Sequence, residues 1–149
     1  MKAKELPSIT LTEENHRVLS DMIDTAAAVA PFIAEFLTRE IDRARLVTAD
    51  DIGPDVVTLG SSVRFRERSS GSTRSARLVF PSEESIADGR LSILTPVGIA
   101  LIGLSPGQEM EWQTRDGRTL GLKLLEVTYQ PEAGAYGKEK RAALASGAA

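Results

Sequence analysis

Residues 91–112 read LSILTPVGIALIGLSPGQEMEW, and the fold turns on how this run is divided. Pro96, Gly98, Gly103, Pro106 and Gly107 interrupt its apolar residues too often for one buried helix. A proline inside a helix removes a hydrogen bond and clashes with the preceding turn. The pattern instead predicts a strand over "LSIL", a turn at Thr95-Pro96 into a short apolar helix, and a glycine exit. A Ser-Pro-Gly turn and a second strand at "EMEW" follow. Ile99, Leu101 and Ile102 are expected to face a sheet. Thr95 and Ser105 are the only reactive side chains near the turns, too few for an active-site loop.

Working outward, the neighbouring segments have the two-residue period of strands. "SSVRFRER" sets Val63 and Phe65 against Arg64 and Arg66, which predicts one dry face. After the loop "SSGST", "RSARLVFP" places Ala76, Leu78 and Phe80 on one side. "VVTL" is a further short β-type run, "RDGR" a glycine turn, and "TLGLKLLEVTYQ" a long strand. Together these predict an antiparallel sheet of five or six strands holding one short helix.

Upstream the period changes to that of helices. Val18, Leu19, Met22, Ile23 and Ala26 form one apolar stripe, and Phe32, Ile33, Phe36, Leu37, Ile41 and Ala44 a second. Thr10 and Glu13 have the spacing of a capping box, with Thr12 as the alternative N-cap. Pro31 marks the break between the stripes and suits the first turn of the second helix. Glu35 stands four residues before Arg39, an orientation that favours an ion pair. The expected class is therefore α+β. Residues 8–49 form a short antiparallel helical hairpin of coiled-coil type, 50–133 the β domain, and 134–149, rich in alanine, glycine and charge, a mobile tail.

Composition narrows the function. The 149 residues contain no cysteine, so disulfides, thiolate nucleophiles and cysteine metal sites are excluded. A cytoplasmic location is expected, since a reducing compartment fits a chain without cysteine; the N-terminus has no apolar run of signal-peptide type, and no membrane partner is expected, because no stretch approaches the roughly 20 apolar residues of a membrane helix. The formal charge of −3 argues against a partner held chiefly through phosphates. His16 is the only histidine and is read as a solvated side chain. The acid pairs Asp50-Asp51 and Glu83-Glu84 are read as solvated charge. Arg64 and Arg66 share the outer face of one strand, and Arg77 is expected across from them. They form either a solvated sheet face or a patch for a polyanion or an acidic partner. The run offers no exposed aromatic that would favour nucleic acid, since Phe65 and Phe80 look inward. No cofactor and no metal are expected.

The order of these motifs resembles one family. A helical hairpin, then "DVVTLGSSVRFR" (55–66), "LSILTPVGIALIGLSPGQEMEW" and "EVTYQPEA" (126–133), resembles the regulator of nucleoside diphosphate kinase family, relatives of the Gre transcript-elongation factors. The resemblance covers residues 8–136 and rests on the combined order, not on any single motif. It implies an FKBP-like curved sheet for the β domain. It also implies docking on RNA polymerase at the rim of the secondary channel through Thr95, Pro96 and Val97, where Gre factors carry a Ser-Pro loop. Gre factors bear acids at the tip of a long coiled coil. Here each helix is expected to run about 15 residues, roughly 22 Å, and no carboxylate lies between Asp24 and Glu35. The expected function is thus a non-enzymatic, monomeric regulator that competes with Gre-type factors without stimulating transcript cleavage. The competing readings are an FKBP-like prolyl isomerase and an active cleavage factor.

Overall fold

The computed structural model describes residues 6–133, so the tail expected over 134–149 lies outside the described residues. In chain order the elements are β1 (Thr10–Thr12), α1 (Glu13–Val29), α2 (Pro31–Arg43), β2 (Arg45–Val47), β3 (Ser62–Glu67) and β4 (Thr73–Val79). Then come β5 (Arg90–Ser92), α3 (Pro96–Leu101), β6 (Glu109–Gln113) and β7 (Thr119–Tyr129). The class is α+β.

The helix pair starts at Thr12, whose Oγ1 accepts a hydrogen bond from the Asn15 amide at 3.0 Å. Glu13 and Glu14 follow in the first turn, where the helix dipole favours negative charge. The alternative N-cap therefore holds, and the Thr10–Glu13 capping box does not form, because Thr10 is extended in β1. The break at Pro31 is abrupt. Ala30 alone closes α1, through its amide to the Ala26 carbonyl, and opens α2, through its own carbonyl to the Ala34 amide. The two helices, 17 and 13 residues long, pack on each other. Arg39 lies over the Phe36 ring at 5.8 Å and makes no ion pair with Glu35.

Five strands form one sheet in the order β5-β4-β3-β7-β6. It is mixed rather than wholly antiparallel, because β5 runs parallel to β4. Residues 80–89 cause this: they fold through two short 3-10 turns and carry the chain back before it re-enters the edge. A separate two-stranded parallel ladder joins β1 to β2, inside the stretch 8–49 expected to be a helical hairpin alone. "VVTL" is not a strand. It is a buried turn segment, held by Val57 bonding to Leu104 in one direction and Gly103 to Val57 in the other. The strand in "LSIL" stops at Ser92, and Phe80 is exposed instead of facing inward.

One apolar core runs through helices and sheet alike. Leu19, Phe36, Leu37 and Ile41 from the helix pair join Phe65, Leu78, Leu122 and Leu124 from the strands, with Ile99, Leu101 and Ile102 buried between them. Phe36 stacks on Trp112 with ring centroids 6.5 Å apart. Each large apolar side chain buried this way contributes about 1.5–3 kcal/mol relative to exposure. The helices are further tied down by polar contacts. The Asn15 side-chain carbonyl accepts from the Leu59 amide at 3.0 Å. The buried Glu40 carboxylate is gripped by the Arg43 guanidinium, which also donates to the Pro7 carbonyl.

Candidate interaction surface

Thr95, Pro96 and Val97 form the first turn of α3, and the reason is local. Thr95 is extended, and its Oγ1 accepts from the Gly98 amide at 3.1 Å while donating to the Ser92 carbonyl at 2.8 Å. Pro96 occupies the first helical position, where its missing N–H costs nothing. Gly98 completes the device. A Cβ there would lie 2.4 Å from the Ser92 carbonyl oxygen, so only glycine lets the helix approach the preceding strand this closely. The Ser92 amide donates to the Glu84 carboxylate at 3.1 Å, and the Leu94 amide to the Ser92 hydroxyl at 3.0 Å. The turn is thus held from Glu84 through Gly98. The Thr95 hydroxyl is committed to that structure, and Pro96 and Val97 supply the half-exposed apolar surface beside it.

This turn walls an open groove of about 730 Å³. Its apolar lining includes Phe32, Ile33, Val97, Trp112 and Leu120. The helix junction at Val29–Pro31 borders it on one side, and the β6–β7 turn on the other. Val29 is 83% exposed, the most exposed large apolar side chain among the described residues. Over the rim, the Thr114 hydroxyl and the Arg118 guanidinium hydrogen-bond Asp116 and hold its carboxyl below the ordinary aspartate range. Arg115 lies on the same turn and lines the groove as well. Trp112 is 8% exposed and its indole N–H is buried without an acceptor among the described residues. Sequence reasoning singled out residues 95–97. It missed that the helix junction and the β6–β7 turn share their surface, because three segments this far apart in the chain leave no common local signal.

The arginine face is separate from this groove. Arg64, Arg66 and Arg77 are all exposed, and strand register puts them on one side of the sheet. Arg77 stands opposite Ser62, diagonal to Arg64. Arg64 pairs with Glu126 at 2.9 Å. Arg77 lies over the Tyr129 ring, 5.7 Å from its centroid. His16 is half-buried on α1. Among the described residues no three His, Asp or Glu side chains come together to hold a metal ion.

Three comparisons bear on these surfaces. A family model described as transcription elongation factor, GreA/GreB, C-term, matches residues 51–129. Over 127 residues the chain is 35% identical to the regulator of nucleoside diphosphate kinase of Escherichia coli strain K12, covering 85% of this chain and 93% of that protein. It is 33% identical over 91 residues to transcription elongation factor GreA of Syntrophomonas wolfei, covering 61% of this chain and 57% of that protein. Among solved structures, a prokaryotic transcription elongation factor GreA/GreB from Nitrosomonas europaea superposes with a TM-score of 0.64 at 36% identity. That match covers 82% of this chain and all of the other.

Proposed function

This chain belongs to the family that unites the GreA/GreB C-terminal domain with the regulator of nucleoside diphosphate kinase, and on that premise we propose that it is a non-enzymatic transcription regulator. It binds RNA polymerase at the rim of the secondary channel and competes there with Gre-type factors. It acts in the cytoplasm as a monomer, through a β domain of FKBP-like form spanning residues 50–133.

The observation that carries this reading is the placement of Thr95–Val97. The turn that resembles the Gre docking loop is capped by Thr95 and stands at the wall of an apolar groove of about 730 Å³. Apolar, partly enclosed surface is where interface energy concentrates. Val29 and Pro31 of the helix junction line the same groove, so tip and docking turn make one continuous contact surface. The absence of any carboxylate between Asp24 and Glu35 supports a blocking role without transcript cleavage, since the Gre mechanism needs acids at that tip to help hold a catalytic metal. The isomerase alternative is less well supplied: among the described residues, Trp112 and Phe32 are the only aromatics lining the groove.

The test is competition with a labelled Gre factor for purified RNA polymerase. Pro96→Asp suits it, because an acidic residue is well tolerated in the first turn of a helix. Loss of an interface anchor costs on the order of 2 kcal/mol, about 30-fold in affinity. Pro96→Asp and Val29→Asp are expected to weaken competition by that order with unchanged circular dichroism. Asp24→Ala is expected to compete like the wild type. Equal competition by a folded Pro96→Asp removes this turn from the interface, and transcript cleavage in a backtracked complex reinstates the cleavage-factor reading.

A further inference from the structure

On the outer face of the five-stranded sheet, like charges stand side by side. Arg77 of β4 is the register partner of Arg90 of β5, and Arg66 of β3 that of Lys123 of β7. Like charges directly opposite one another destabilise a sheet, so the fold gains nothing from this arrangement. Internal neutralisation is incomplete. Glu126 takes Arg64 at 2.9 Å, and Asp88 reaches Arg90 at 3.5 Å. Glu109 stands opposite Lys123 but turns to Arg68 at 3.7 Å. Among the described residues Arg66, Arg77 and Lys123 make no ion pair. Arg64, Arg66, Arg77, Arg90 and Lys123 outnumber the carboxylates of Glu126, Glu109 and Asp88 that reach this face, although the chain as a whole carries −3.

Two further features lie within the same patch. Arg64, Arg77 and Arg90 border a shallow hollow of about 430 Å³, with Ser75 and Thr128 also on its margin and one carboxylate, Asp88, beside Arg90. Beside it Tyr129 is 43% exposed, with the Arg77 guanidinium over one face of its ring, 5.7 Å from the centroid. Guanidinium forks match phosphate oxygens, and an exposed aromatic ring on a flat sheet gives a nucleobase a stacking platform. A duplex hides its base faces, and an acidic protein has no need of the ring. We propose that this face binds single-stranded nucleic acid, with a backbone phosphate seated among Arg64, Arg77 and Arg90 and the adjoining base stacked on Tyr129. The site shares no residue with the groove at Thr95–Val97, so it stands or falls apart from polymerase docking.

Fluorescence anisotropy of a short labelled oligothymidylate with the full chain tests it. Binding is expected at low salt, weakening with a log–log slope of about −2 for three phosphate contacts, at about −0.7 per contact for single strands. Arg77→Ala and Tyr129→Ala, both at exposed positions, are expected to leave circular dichroism unchanged. Tyr129→Ala is expected to weaken binding by about tenfold, the order of one lost base–aromatic stack, and Tyr129→Phe to restore it. A duplex of the same length and inorganic polyphosphate are expected to compete poorly. Absence of binding at the lowest salt overturns the proposal. So does indifference to Tyr129→Ala. Equal competition by polyphosphate overturns it too, because the face is then an attractor of anions in general.

Discussion

Replacing Gly98 by alanine sets two physical effects against each other. Helix propensity alone predicts a gain, since alanine is favoured over glycine by about 1 kcal/mol in a helix interior. The structure predicts a loss. The new Cβ would sit 2.4 Å from the Ser92 carbonyl oxygen and 3.0 Å from both the Ile93 Cα and the Thr95 Oγ1. Two of these neighbours are backbone, and the carbonyl would have to retreat by about 1 Å to reach ordinary contact. Overpacking of this kind costs about 1–3 kcal/mol. Moving Ser92 and Thr95 apart also breaks the hydrogen bond between them and loosens the N-cap, for about 1 kcal/mol more. The net expectation is a loss of about 2 kcal/mol, or about 4–8 °C in Tm for a chain of this size. Chemical and thermal denaturation read it directly. A variant as stable as the wild type, or more so, would refute the close approach of α3 to β5 and with it the rigid presentation of Pro96 and Val97.

Arg43→Ala leaves the Glu40 carboxylate, 3% exposed, without its guanidinium; the expected loss is about 2–4 kcal/mol by urea denaturation, since breaking a buried pair strands a charge. Trp112→Phe removes an indole N–H that has no acceptor while keeping an aromatic against Phe36, so its stability should fall within about 1 kcal/mol of the wild type, against about 3–5 for Trp112→Ala. Residues 50–133 expressed alone should still unfold cooperatively, at a lower midpoint than the full chain, because Leu19, Phe36 and Leu37 leave the shared core; a fragment with an unchanged midpoint would mean that the helix pair adds nothing to the sheet.

What the sequence made legible were elements long enough to show a period. The two apolar stripes and Pro31 located the helices, Val63 to Arg66 located the central strand and its faces, and Thr95-Pro96-Val97-Gly98 announced a turn into a short helix. Elements of three residues escaped, as β1, β2 and the early end of β5 show, because no period can be counted over so few positions. Parallel pairing of β5 escaped because alternation along a strand says nothing of its partner's direction. Tyr129 was missed for a subtler reason. The ladder between β3 and β7 shifts register between Ser62 and Val63 and again between Arg64 and Phe65. Counting alternate residues along β7 from buried Val127 assigns Tyr129 to the inner face, whereas its partner is Ser62 on the arginine side. Bulges re-aim side chains in this way, and they leave no mark in hydrophobic pattern. The groove was legible only as its Thr95–Val97 wall, since its other walls come from segments brought near by the core.

The short ladder between β1 and β2 has a consequence for how the molecule opens. The Thr10 amide bonds to the Gly103 carbonyl, the Arg45 amide to the Ile9 carbonyl, and a Cβ on Gly103 would meet Ile9 at 2.9 Å. The chain before α1 is therefore stitched to the loop that leaves α3, and the chain after α2 is stitched in turn to that same N-terminal segment. Neither helix can swing away from the sheet without first rupturing contacts made across the whole length of the chain. In native-state hydrogen exchange the amides of Thr10 and Arg45 should accordingly exchange only in the same global event as those of β3, although they lie in three-residue strands near the surface.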